Sequence, residues 1–61
     1  MAFAEKLIAV RRAHHLTQEQ LAAKLFVTRQ AVSRWERGEV TPGIDMMKLI
    51  AAVTGLSLIH I

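Results

Sequence analysis

Three observations predict an all-α fold, a compact bundle of four to five short helices with a central helix-turn-helix. First, apolar residues recur three and four positions apart, which is the spacing of one helix face. Second, the 61-residue chain is rich in Ala, Leu, Gln, Glu, Lys and Arg, which favour helix. Third, one proline and three glycines leave little room for the turns of a small β fold. The length predicts a single domain over residues 1–61.

The first helix is predicted over residues 2–14. Phe3, Leu7 and Val10 repeat there at helical spacing and form its inward face. The chain has no cysteine and only two Phe and one Trp, so we expect an aliphatic core without disulfide support.

The second helix is predicted over residues 18–24, and it begins at a capping motif. Thr17 is suited to cap the free backbone amides, and Gln20, three residues later, completes a capping box. Leu16 and Leu21 flank this start in the positions of a hydrophobic staple, which fixes the angle at which the chain enters the helix.

The same start signal returns eleven residues later and predicts a third helix over residues 28–37. Thr28 takes the capping position, and Val27 and Val32 take the staple positions. Two short capped helices separated by a turn of about three residues make a helix-turn-helix unit, here about residues 17–37.

Gly38 is suited to end the third helix in a left-handed conformation, and residues 39–42 are predicted to form a loop. A fourth helix is predicted over residues 43–55. Its expected inward face consists of Ile44, Met47, Ile50 and Ala51. Ser57 resembles a further helix cap, which would start the fragment of a fifth helix.

The third helix has one face on which every side chain can form hydrogen bonds. At 100° per residue, this face consists of Arg29, Gln30, Ser33, Arg34 and Arg37. It carries three arginines and no acid, whereas solvated helix faces usually mix the two signs. Arginine and glutamine also suit bidentate contacts to guanine and adenine. The pattern alone leaves two interpretations open, an ordinary solvated face or a face that reads DNA.

Glu36 lies at the border of the apolar face, where a buried acid would need a partner. Arg11 is the candidate, because it lies next to the core face of the first helix. We therefore predict an Arg11–Glu36 ion pair that ties the first helix to the third. The alternative is that both are surface charges worth well under about 1 kcal/mol.

From Leu7 to Leu56 the chain resembles the lambda-repressor/Cro-like helix-turn-helix family, also called the XRE family of bacterial and phage regulators. The segment RRAHHLTQEQLAAKLFVTRQAVSRWERGEVTP carries the resemblance, with LTQEQLA and VTRQAVSRWERG in the family's order and spacing. The resemblance implies a lambda-repressor-like bundle of five helices. It also implies sequence-specific binding to a double-stranded DNA operator by a transcriptional regulator, expected to be a repressor that dimerises on a palindromic site.

The resemblance implies a role for each polar residue of the helix-turn-helix, with the third helix in the major groove. The expected base-reading residues are Arg29, Gln30, Ser33 and Arg34. The expected phosphate contacts are Thr17, Gln18, Thr28 and Arg37. The family also commonly pairs an arginine of the first helix with an acid of the third, which favours the Arg11–Glu36 pair.

Two departures from the family pattern stand out. Phe26 occupies the turn position that is usually Gly, and a left-handed backbone there would cost on the order of 1 kcal/mol. Thr54 stands where the fourth helix usually has an apolar core residue, while Leu49 and Val53 lie off the expected inward face. Either the fourth helix rolls and buries them, or they form a homodimer seam with Leu58, Ile59 and Ile61.

Some functions other than DNA binding remain open, and others are not expected. The net charge of +3 permits an anionic partner without requiring one, and the apolar end of the chain keeps a helical protein-interaction module or an antitoxin-type partner-binding domain open. No enzyme, cofactor or metal site is expected, because His14 and His15 project about 100° apart and no serine has a nearby His and acid. No apolar run reaches the roughly 18 residues of a membrane span, so a cytoplasmic protein is expected.

Overall fold

The computed structural model describes residues 3–55, which form four α-helices and no strand. These are α1 (Phe3–Ala13), α2 (Gln18–Leu25), α3 (Arg29–Glu36) and α4 (Ile44–Thr54). The predicted all-α class is confirmed, and each helix begins and ends within one residue of its predicted position. Parts of the prediction lie outside the described residues, namely Ala2, Ser57, Leu58, Ile59 and Ile61.

The caps predicted at Thr17 and Thr28 are both formed. The hydroxyl oxygen of Thr17 accepts a hydrogen bond from the backbone N–H of Gln20 at 3.0 Å, and the Gln20 side-chain oxygen accepts one from the N–H of Thr17 at 2.9 Å. At the start of α3, the hydroxyl oxygen of Thr28 accepts a bond from the N–H of Ala31 at 3.2 Å. These bonds satisfy amides that have no partner within the helix, and they fix where α2 and α3 begin.

The first three helices end in the same way, at a residue with left-handed backbone. These residues are His15 (φ 57°), Phe26 (φ 59°) and Gly38 (φ 76°). In each case the next N–H donates to the carbonyl five residues earlier: Leu16 to Arg11, Val27 to Ala22 and Glu39 to Arg34, at 3.1, 3.0 and 3.0 Å. This is the Schellman arrangement, and it turns the chain sharply enough for the next helix to pack back on the last.

The core is small and mostly aliphatic, as the composition predicts. Its buried members are Leu7, Leu21, Ala22, Leu25, Val32, Trp35 and Ile50. Partly buried residues pack around them, among them the staple residues Leu16 and Val27. In this core α3 packs against α1 and α2, and α4 packs against α2.

The predicted inward face of α4 is right for Ile50 and wrong for Ile44, which is 72% exposed. The helix is rolled, so that Leu49 and Val53 pack against the core and Thr54 is buried. Thr54 is tolerated there because its hydroxyl donates to the carbonyl of Ile50 at 2.7 Å. Of the two interpretations left open by the sequence, the rolled helix is the one observed for the described residues.

Replacing Phe26 by Gly is expected to raise the free energy of unfolding by roughly 0.5–1 kcal/mol. A left-handed backbone strains an L side chain by about 1–2 kcal/mol, and the greater freedom of glycine in the unfolded chain offsets only part of that gain. The Phe26 side chain is 89% exposed, so its removal forfeits little apolar burial. Urea unfolding measures the change.

The matched control is Ala23→Gly, which makes the same kind of change at an exposed position inside α2. There the backbone is right-handed, so glycine should lower the free energy of unfolding by roughly 0.5–1 kcal/mol. A similar loss in both variants would show that the backbone at Phe26 is not strained.

Candidate nucleic-acid interface

The polar side chains predicted on one face of α3 lie together on the surface. They line a single shallow concavity, made by Arg29, Gln30, Ser33, Arg34 and Arg37. Four of them are exposed and Ser33 is half-buried. On the opposite face Val32 and Trp35 are buried in the core. The helix therefore presents most of its polar face to solvent, while its apolar face packs against the core.

A buried ion pair fixes α3 against α1. The Nε of Arg11 donates to Oε2 of Glu36 at 2.6 Å, and its Nη2 donates to Oε1 at 3.2 Å. The Arg11 side chain is 14% exposed and the Glu36 side chain 5% exposed. The third guanidinium nitrogen, Nη1, donates to the carbonyl of Leu16 at 2.8 Å. Arg11 thus binds both α3 and the turn before α2.

Gln18, an expected phosphate contact, also reaches the Glu36 carboxylate. Its Nε2 donates to Oε1 of Glu36 at 2.9 Å, and the side chain is half-buried. The sequence did not indicate this bond, because it depends on how α2 and α3 pack against each other. The bond leaves Gln18 the second hydrogen of its amide for any other acceptor.

The other expected phosphate contacts are exposed. Thr17 and Thr28 each accept one capping bond through the hydroxyl oxygen, so their hydroxyl hydrogens can still be donated. Arg37 lies at the end of α3, where its Nε and Nη2 donate to the carboxylate of Glu39 at 3.0 and 3.3 Å. The sequence did not predict this contact, because a spacing of two residues across Gly38 does not by itself place the carboxylate beside the guanidinium.

A further unpredicted contact joins the residue that follows α1 to the end of α4. The Nε2 of His14 lies 2.7 Å from the carbonyl oxygen of Thr54, at the end of α4. This bond gives His14 a structural role.

Over residues 3–55, no group of three His, Cys, Asp or Glu residues is arranged to hold a metal ion. None of the described helices is long and apolar enough to cross a membrane.

Comparison with known proteins gives a consistent result. The profile of the Helix-turn-helix family matches residues 7–61. The chain is 47% identical over 51 residues to the HTH-type transcriptional activator BcrR of Enterococcus faecalis, covering 84% of this chain and 25% of BcrR. It is 40% identical over 53 residues to the uncharacterized HTH-type transcriptional regulator MJ0272 of Methanocaldococcus jannaschii, covering 87% and 80% of the two chains. No solved structure matches the chain significantly.

Replacing Glu36 by Ala is expected to lower the free energy of unfolding by about 3 kcal/mol or more, because the buried guanidinium of Arg11 would lose its counter-charge. Domains of this size are stable by only about 5 kcal/mol, so the variant should retain about 2 kcal/mol or less. Urea unfolding and circular dichroism measure the loss.

Glu39→Ala is the matched control, because it removes the same carboxylate from an exposed pair and should change stability by less than about 1 kcal/mol. The double variant Arg11→Met, Glu36→Leu replaces the buried pair by apolar groups and should recover most of the loss. Small and equal losses for Glu36→Ala and Glu39→Ala would contradict a stabilising role of the buried pair.

Proposed function

Because the chain belongs to the helix-turn-helix family of transcription regulators, we propose that it binds double-stranded DNA sequence-specifically, with α3 in the major groove. The match to the family model over residues 7–61 confirms the family resemblance that the sequence predicted. The observation that carries the proposal for α3 is its division into a fully polar exposed face and a buried apolar face. An α-helix has the width that the major groove of B-DNA admits.

Base readout is assigned to the first half of the exposed face. Arg29 and Gln30 lie in the first turn of α3, and helix-turn-helix domains contact base edges with the N-terminal residues of this helix. Their side chains match the acceptor pair of guanine and the donor and acceptor of adenine. Ser33 and Arg34 follow one turn later on the same face and complete the proposed set.

Phosphate contacts are assigned to the rim of the same surface. The hydroxyls of Thr17 and Thr28 mark the starts of α2 and α3, where helix amides and the helix dipole favour an anion. Gln18 would add its remaining amide hydrogen, and Arg37 would reach the backbone from the end of α3. Such contacts fix the register of the domain on the duplex without reading its sequence.

The mode of regulation and the assembly are also proposals. We propose a cytoplasmic homodimer on a palindromic operator, whose half-sites would lie about one helical turn apart. Repression stays a prediction, and one relative is named as an activator. A DNA-binding domain determines where a regulator sits on DNA, and the position of that site relative to the promoter decides the outcome.

A second candidate function, a helical module that binds a protein partner, is favoured by exposed apolar side chains. Among the described residues, the large ones are Phe26, Val40 and Ile44. None of the three lies in the polar concavity on α3, so this function would use a different surface. An antitoxin-type domain could use both surfaces, one for DNA and one for its partner.

Replacing Arg29 or Gln30 by Ala is expected to cost about 1–3 kcal/mol on the preferred duplex and to relax the choice of base at one position. Arg37→Ala should weaken binding to all duplexes by a similar factor, because a phosphate contact carries no sequence information. Selection of duplexes from a random pool, followed by fluorescence anisotropy, gives both quantities. Equal losses on selected and random duplexes for all three variants would refute the assignment of base readout.

A salt titration separates DNA binding from the second candidate function. Affinity for DNA should fall steeply between about 50 and 200 mM salt, with a slope close to the number of phosphates contacted. An apolar protein interface would respond little, because it releases few ions. A chain that binds no duplex even at the lower salt concentration would remove the proposed function.

A further inference from the structure

Glu39 lies beside the cationic face of α3 and pairs with Arg37. The pair is bidentate, with distances of 3.0 Å from Nε and 3.3 Å from Nη2 of the arginine. Both side chains are solvent-exposed, at 58% for Arg37 and 53% for Glu39. One of the three guanidinium groups that line the polar concavity therefore has a carboxylate partner within the domain itself.

The backbone holds Glu39 in this position. Gly38 has a positive φ of 76°, which a residue with a side chain rarely adopts, and it turns the chain back over the last turn of α3. The N–H of Glu39 then donates to the carbonyl of Arg34 at 3.0 Å. The carboxylate is thus carried by a helix-terminating turn that is itself hydrogen-bonded.

We infer that Glu39 competes with a DNA phosphate for Arg37 and so lowers the affinity of the domain for every duplex. The inference rests on the proposed function and adds a residue that tunes it. A phosphate that approaches Arg37 must displace the carboxylate or share the guanidinium with it, and in the second case two like charges lie close together. Because phosphates carry no sequence information, the penalty falls equally on preferred and random DNA.

The competition is an attenuation and not a block, because an exposed ion pair is weak and screened by salt. Loss of the Arg37–Glu39 pair should raise the affinity for DNA by about two- to fivefold, which corresponds to the free energy of an exposed ion pair. Weak general binding has a use for a sequence-specific regulator, since random DNA competes for it in large excess. Arg29 and Arg34, which are proposed to read bases, have no side-chain ion pair within the described part of the chain.

The test is the affinity of Glu39→Gln for two labelled duplexes of about two helical turns, one random and one selected from a random pool. We expect tighter binding to both by the same factor, about two- to fivefold. The slope of log affinity against log salt concentration should become steeper by up to about one unit, because Arg37 is then free to contact one more phosphate. Glu5→Gln is the matched control, since it removes the same charge from the first turn of α1 and should change neither quantity.

The double variant Arg37→Ala, Glu39→Gln distinguishes competition for Arg37 from general repulsion of DNA. If Glu39 acts through Arg37, the gain from Glu39→Gln disappears when Arg37 is already absent. A full gain in the Arg37→Ala background would overturn the inference, as would unchanged or weaker binding by Glu39→Gln alone.

Binding by the wild-type chain distinguishes a failure of the inference on Glu39 from a failure of the proposed function. If it binds duplexes and Glu39→Gln binds them no tighter, only the role of Glu39 is wrong. If it binds no duplex at low salt, the proposed function fails together with the inference.

Discussion

The arrangement of the first three helices depends on the hydrogen bonds that the carboxylate of Glu36 accepts. It accepts two hydrogen bonds from Arg11 on α1 and one from Gln18 on α2, and it is nearly excluded from solvent. A buried carboxylate without such donors would be costly, so the three side chains hold one another in place. This network and the burial of Val32 and Trp35 fix the rotation of α3 about its axis. The polar face of α3 is therefore held toward solvent.

The chain reversals between helices provide the second constraint. A left-handed residue follows α1, α2 and α3, and the next residue bonds back to the helix it has just left. Only one of these three residues is a glycine; His15 and Phe26 carry side chains that this conformation strains. The staple residues Leu16 and Val27, which follow them, pack against the core and begin the next helix. Tertiary packing thus stabilises a backbone conformation that the local sequence disfavours.

Arginine serves three distinct purposes in this small domain, and its surroundings decide which. Arg11 is mostly buried and each of its three guanidinium nitrogens donates a hydrogen bond, so it stabilises the fold. Arg29 and Arg34 are exposed on the polar face of α3, where their donors face solvent. Arg37 is exposed and yet engaged by Glu39. The net charge of +3 does not reveal this division, because it counts each arginine equally.

Local signals in the sequence determined the helices, their starts at Thr17 and Thr28, and the split faces of α3, because caps and periodicity act within one or two turns. The tertiary structure decided features that depend on several helices or on the path of the backbone. One such feature is the rotation of α4 about its axis, which leaves Ile44 exposed. The surface against which an apolar helix packs decides which of its residues are buried. The tertiary structure made Phe26 left-handed, because the close packing of α2 and α3 requires a tight turn whatever residue occupies it. It also brought Glu39 to the edge of the candidate site through a backbone reversal that residue spacing alone does not specify.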